Sequence, residues 1–181
     1  MDVFSHGLWS ALAAKGINQK IKKPLNVWLT LFWGVFPDIF AFAIPFIGLV
    51  WNVLFEGVNL ADMPDPSRTE PPPADTVWIF RLAGFLYPFS HSLVVFLLVI
   101  ALVWFIKRKF FWEMGGWLTH ILIDIPTHSY RFYPTPFLWP VSEFKFDGFP
   151  WGTSWFFVLN YSAIFVVYLL LRRRDKRKFL S

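Results

Sequence analysis

The stretch TSWFFVLNYSAIFVVYLLLRRRDKRK, residues 153–178, decides the fold. Its first nineteen residues, 153–171, carry no charge, and six of the next seven are Arg or Lys. A helix of that length rises about 28 Å at 1.5 Å per residue, close to the roughly 30 Å of hydrocarbon in a bilayer. An uncharged apolar run closed by a dense basic cluster is the pattern of a membrane span anchored at its cytoplasmic end. The basic tail 172–181 is therefore expected in the cytoplasm.

Working outward, three more apolar runs are expected to span. Residues 25–54 are interrupted by Pro37-Asp38 and Pro45, where kinks are expected. Residues 77–106 break near Pro88, and residues 110–125 form the remaining run. Residues 3–14 are a shorter apolar segment stopped near Gly16, sized for a half-membrane helix. Lys15, Lys20, Lys22 and Lys23 precede one run, and Lys107, Arg108 and Lys109 separate two others. Placing every basic cluster on the cytoplasmic side puts the acidic, proline-rich loop 56–76 and the aromatic loop 126–152 on the other side. The expected fold is all-α: a polytopic membrane helical bundle with four transmembrane spans and a short N-terminal half-membrane helix. Residues 1–181 read as a single integral-membrane domain.

Composition agrees. Of 181 residues, 56% are hydrophobic and 16% charged, against roughly 45–50% and about 25% in soluble domains. Aromatics reach 22%, with 11 Trp, a residue that gathers at membrane interfaces. The absence of cysteine excludes disulfides, thiolate nucleophiles and Cys-based metal sites. The net charge of +5 lies in clusters beside apolar runs instead of along one solvated face, so nucleic acid is not an expected partner; the lipid bilayer is. The N-terminus does not read as a secretory signal, because Asp2 comes first and the lysines follow the apolar stretch.

Polar groups inside a membrane are costly and mark function. Counting helical rise from the nearest basic cluster puts Asp38 about 22 Å up, His91 about 24 Å, His120 about 16 Å, Asp124 about 22 Å and His6 about 14 Å. All four histidines sit in or at the ends of apolar segments, near one layer. His120-x3-Asp124-x3-His128 is the sharpest motif, since residues four apart share a helix face and imidazole and carboxylate both ligate zinc. His128 lies about 12 Å from His120 along a straight helix, and Pro126 between them lets it swing back. Ser90-His91-Ser92 opens a helix, with Ser90 as the expected cap. Asp38 needs a partner: a metal, a histidine or a proton. Asp2-x3-His6 is weak alone. Arg131 and Glu143 in the outer loop are candidates for substrate contact or plain solvated charges.

Taken in order, Asp2–His6, Pro37-Asp38, Ser90-His91-Ser92, the Gly-x3-His-x3-Asp-x-x-Thr of residues 116–127, and Leu138-Trp139-Pro140 resemble the YdjM-type inner-membrane family. That family is described as membrane-bound, metal-dependent hydrolases. It is similar, distantly, to the helical zinc-dependent phospholipase C and P1 nuclease group. The resemblance implies a bacterial inner-membrane protein with His6, Asp38, His91, His120 and Asp124 as ligands of a divalent metal, zinc foremost. His128 is expected as a compensating ligand for the acid missing at Phe40. The pattern departs at Phe40, where the family often has a second acid, and at Leu86-Tyr87-Pro88, where it often has His-Arg-Gly.

The expected function is hydrolysis of a phosphate ester, such as a lipid-linked phosphate, with Asp38 or Asp124 as the catalytic general base. The alternative is a non-catalytic membrane protein whose His/Asp core, metal-stapled or not, fixes helix packing. Paired histidines also permit haem, against which the mid-membrane aspartates stand.

Overall fold

The computed structural model describes residues 1–57, 78–131 and 133–179. The described residues form six helices: α1 (Val3–Asn18), α2 (Val27–Phe55), α3 (Trp78–Ser90), α4 (Leu93–Lys107), α5 (Gly115–Thr127) and α6 (Ser154–Phe179). No strand occurs among them, so the all-helical expectation holds. Most of the polar loop expected at 56–76 lies outside the described residues; Glu56 caps the end of α2.

Helix starts follow local chemistry. Asp2 caps α1 by accepting from the Ser5 amide at 3.0 Å, and Asn26 caps α2 by accepting from the Leu29 amide at 3.1 Å. Ser92 caps α4, its hydroxyl accepting from the amides of Val94 and Val95. The cap expected at Ser90 is therefore corrected: Ser90 ends α3, and the helix restarts two residues later. α2 runs as one helix through both Pro37 and Pro45.

The span count is also corrected. Among the described residues, only α2 and residues Ser154–Asp175 of α6 are long and apolar enough to cross a bilayer singly. A third crossing exists if Arg81–Ser90 and Leu93–Lys107 act together across their 61° bend. The run at 110–125 does not become a span. It opens with a 3-10 turn at Trp112–Met114, and α5 has 13 residues, about 20 Å of rise against about 30 Å of hydrocarbon. α5 is instead a buried helix, held between α1 and α2.

Two glycines permit that embrace. A methyl group on Gly116 would meet the Thr30 carbonyl oxygen and lie 2.8 Å from the Gly34 amide nitrogen. One on Gly34 would strike the Ser10 side chain and lie 2.9 Å from the His6 carbonyl oxygen. Close backbone approach through small residues is how helices pack where hydrophobic burial supplies little drive. Beside this seam, Phe96, Met114, Trp117 and Ile121 form the apolar core, with Trp33 stacked on Trp117 at 6.1 Å. α6 joins through Asn160, which donates to the Ser5 hydroxyl at 2.7 Å and accepts from the Trp9 indole at 2.9 Å. The outer faces of α2 and α6 are apolar and exposed, as at Phe46, Ile47 and Phe165, which is the burial pattern of helices in contact with lipid.

Candidate metal centre

Six side chains converge from four segments. His6 comes from α1 and Asp38 from α2. His91 comes from the bend between α3 and α4, where the chain leaves one helix and enters the next. His120, Asp124 and His128 come from α5, His128 as its extended C-cap residue. All six are buried; His6, His91 and His120 are 0% exposed, and Asp38 and His128 are the most accessible at 9% and 7%. The structure thus brings together every residue singled out in sequence as a ligand, including His128, whose turn out of the helix points its ring back toward Asp124.

Asp124 sits at the middle and divides the cluster. Its Oδ1 lies 2.9 Å from His6 Nε2, 3.3 Å from His128 Nε2 and 2.5 Å from the Met1 amino nitrogen. Its Oδ2 lies 3.1 Å from His120 Nε2 and 3.5 Å from His91 Nε2. Asp38 Oδ1 closes the second half at 3.6 Å from His91 Nε2 and 3.7 Å from His120 Nε2, while those two nitrogens are 3.1 Å apart.

The second half has the dimensions of a coordination shell. Four atoms (His91 Nε2, His120 Nε2, Asp38 Oδ1 and Asp124 Oδ2) have five of their six separations between 3.1 and 3.7 Å. Nitrogen and oxygen ligands about 2.0–2.2 Å from zinc define a tetrahedron with edges of about 3.3–3.6 Å. The triads His6/His120/Asp124 and Asp38/His91/His120 each present one ligand atom per residue, all within 4.8 Å of one another.

Hydrogen bonding at the far side of each ring fixes what faces inward. His120 Nδ1 is 2.7 Å from the Gly34 carbonyl, and His128 Nδ1 is 2.8 Å from the Tyr133 carbonyl. His91 Nδ1 is 3.2 Å from the Tyr87 carbonyl and 2.8 Å from the Ser90 hydroxyl. A carbonyl oxygen only accepts, and the Ser90 hydroxyl gives its one proton to the Tyr87 carbonyl at 3.3 Å, so Nδ1 carries the proton in each ring, which leaves Nε2 as a bare lone pair in the neutral imidazole. Lone pairs of His91 and His120 then face each other at 3.1 Å, flanked by two carboxylates. Four acceptors cannot satisfy one another; the arrangement calls for a cation or for added protons. Imidazole oriented by a backbone carbonyl is the usual outer support of a metal ligand. The donor set therefore fits a divalent ion.

Two atoms reinforce the fit. His6 Nδ1 and Asp38 Oδ2 are buried with no hydrogen-bond partner among the described residues. His6 approaches Asp124 closely and its ring stacks on His120, centroids 3.6 Å apart, but neither His6 nitrogen reaches hydrogen-bond geometry.

Sequence reasoning missed the supporting shell. Tyr87 stacks on His91 at 3.8 Å and donates from its hydroxyl to the Tyr133 carbonyl at 3.0 Å. Tyr133 adopts φ +45°, a left-handed conformation rare outside glycine, and this turn presents its carbonyl to both Tyr87 and His128. Burial pushes the Tyr133 phenol up, which keeps it protonated. The aromatic loop also ties off α5: the amides of Gly148, Phe149 and Trp151 donate to the carbonyls of His128, Pro126 and Thr127. The other sequence candidates lie apart. Asp2 is a helix cap bonded to Ser5 and Tyr161, Arg131 and Glu143 are exposed, and Phe40, at the position of the family's second acid, is 43% exposed.

A family model described as YdjM inner membrane protein matches residues 1–180. No curated protein and no solved structure matches the chain.

Proposed function

Since the chain belongs to the YdjM inner membrane protein family, we propose that it is a membrane-embedded, metal-dependent hydrolase of a phosphate ester, such as a lipid-linked phosphate. The observation that carries this reading is the set of inward-facing lone pairs on His91 and His120 between Asp38 and Asp124. His91, His120, Asp38 and Asp124 would hold one divalent ion, zinc by donor type. His6 and His128 lie on the other oxygen of Asp124, as a second subsite would require. A bound ion supplies Lewis-acid polarisation of a phosphoryl oxygen and an acidified water.

The two aspartates separate into roles. Both oxygens of Asp124 face histidine nitrogens, which suits it to bridge the halves of the site. Asp38 turns one oxygen to the histidines and leaves Oδ2 buried without a partner, which supports Asp38 as the residue that would take a proton from water. A cavity of about 360 Å³ lies against the outer loop, lined by Tyr87, Tyr130, Tyr133 and Lys145 among others. It is lined by Tyr87, which stacks on His91 of the cluster, and Lys145 supplies a cation for an anionic substrate. The C-terminal tail is cytoplasmic in this account, which puts that cavity toward the opposite face.

The resemblance to zinc-dependent phospholipase C and P1 nuclease rests on the His/Asp donor set alone. A second reading is favoured by the four side-chain atoms of His91, His120, Asp38 and Asp124, enough to fill a tetrahedral shell, since sites closed by protein ligands are structural. Here the cluster fixes helix packing without turnover.

The test is phosphate release by the full chain in detergent, supplied with zinc or manganese, from phospholipid and isoprenoid-phosphate substrates. Turnover that falls by about 10²-fold or more in Asp38→Asn supports the hydrolase. Absence of turnover on every substrate by protein that retains its metal overturns it in favour of the structural core.

A further inference from the structure

Two basic clusters that the hydrolase reading leaves unused meet at one groove. Lys23 precedes α2, and Lys107 and Lys109 end and follow α4; all three line a cavity of about 1240 Å³. That exceeds the roughly 300–1,000 Å³ of ordinary small-molecule sites. Its walls are apolar, with Trp33 of α2 and Val99 and Val103 of α4 among them. One carboxylate, Glu113, also lines it, and that side chain accepts from the Asn26 amide at 3.2 Å. Trp33 adds an independent observation: its indole N–H is buried with no acceptor among the described residues. The groove therefore offers a rim of three cations, a lone hydrogen-bond donor in its wall and an apolar interior. Cations around an apolar groove match an amphiphile with an anionic head, and anionic lipid collects at the basic side of membrane proteins.

We propose that this groove is a binding site for an anionic phospholipid, its phosphate against Lys23, Lys107 and Lys109 and an acyl chain between α2 and α4. The site is separate from the His/Asp cluster and stands whether or not that cluster is catalytic. Trp33 connects the two regions mechanically, because it stacks on Trp117 of α5, the helix that carries His120 and Asp124.

The test is native mass spectrometry of the full chain in neutral detergent, titrated with dioleoyl phosphatidylglycerol or dioleoyl phosphatidylcholine. The glycerol lipid should bind more tightly than the choline lipid. K23Q/K107Q/K109Q should weaken phosphatidylglycerol by about 100-fold, near five-fold per lysine, and leave phosphatidylcholine unchanged. These lysines are exposed, so their loss does not disturb packing. A control with the same charge change outside the groove, K20Q/K22Q/R174Q, should leave both lipids unchanged. Val103→Phe, which fills the groove with the lysines intact, should weaken both. Equal binding of the two lipids, an equal loss in the control, or no effect of Val103→Phe would each overturn the proposal, the second by reducing it to a general basic belt.

Discussion

Replacing Gly116 with alanine tests whether the short α5 is wedged between α1 and α2 as described. The added methyl group would lie 2.8 Å from the Gly34 amide nitrogen and closer still to the Thr30 carbonyl oxygen, both main-chain atoms that cannot rotate away. Ordinary contact begins near 3.4 Å, so α5 must retreat from α2 by more than 0.6 Å. Overpacking of this kind costs about 1–3 kcal/mol, against which alanine's better helix propensity returns less than about 1 kcal/mol. For a chain of this size each kcal/mol moves Tm by about 2–4 °C, and the propensity gain is shared by Gly115→Ala, so Gly116→Ala should melt about 2–12 °C below Gly115→Ala. The neighbouring residue is a matched control. A methyl group on Gly115 meets nothing within 4 Å, so Gly115→Ala should hold Tm or raise it slightly. The assay is thermal unfolding of both variants in one detergent, followed by near-ultraviolet dichroism of the Trp33–Trp117 stack. Because α5 carries His120 and Asp124, Gly116→Ala should also weaken metal binding while Gly115→Ala does not. Equal Tm values for the two variants would refute the wedged helix.

Three further outcomes are expected. Asn160→Leu removes both the acceptor for Trp9 and the donor to Ser5; at about 0.6 kcal/mol per intramembrane hydrogen bond, Tm should fall by a few degrees, and an unchanged value would mean α6 is not docked through this pair. Tyr87→Phe keeps the ring on His91 but loses the bond to the Tyr133 carbonyl; a chelator competition should show metal affinity about ten-fold weaker with helix content unchanged. Ser92→Ala removes the cap of α4 and should destabilise by about 1 kcal/mol, whereas Ser90→Ala, which touches no helix start, should not act through capping.

Much of the site was legible because membrane depth is a one-dimensional ruler. Helical rise counted from basic clusters put Asp38, His91 and Asp124 within a few ångströms of one another, and they meet. The His120/Asp124 pair followed from helix periodicity, and the return of His128 from Pro126. What could not be read is what any residue can supply. The carbonyls of Gly34, Tyr87 and Tyr133 orient three imidazoles, yet every residue carries a carbonyl, so nothing in the letters marks these. The span count failed for a related reason. Residues 110–125 are apolar enough to cross, but an apolar run records only that water is excluded, by lipid or by protein. Gly115-Gly116 and the 3-10 turn at Trp112–Met114 make it a buried helix. The serine cap was misplaced by two residues because either serine satisfies the same local rule, and the 61° bend at His91 selects Ser92.

The central claim is that the inward lone pairs of the His/Asp cluster hold a metal ion. Its most direct test is elemental mass spectrometry of the full chain purified in detergent without chelator, beside His120→Ala/Asp124→Ala purified identically. At least one equivalent of zinc or manganese per chain is expected, lost in the double variant. Absence of metal from the unaltered chain, even after reloading with either ion, would contradict it and leave a polar helix-packing core, with the Met1 amino group as a cation beside Asp124.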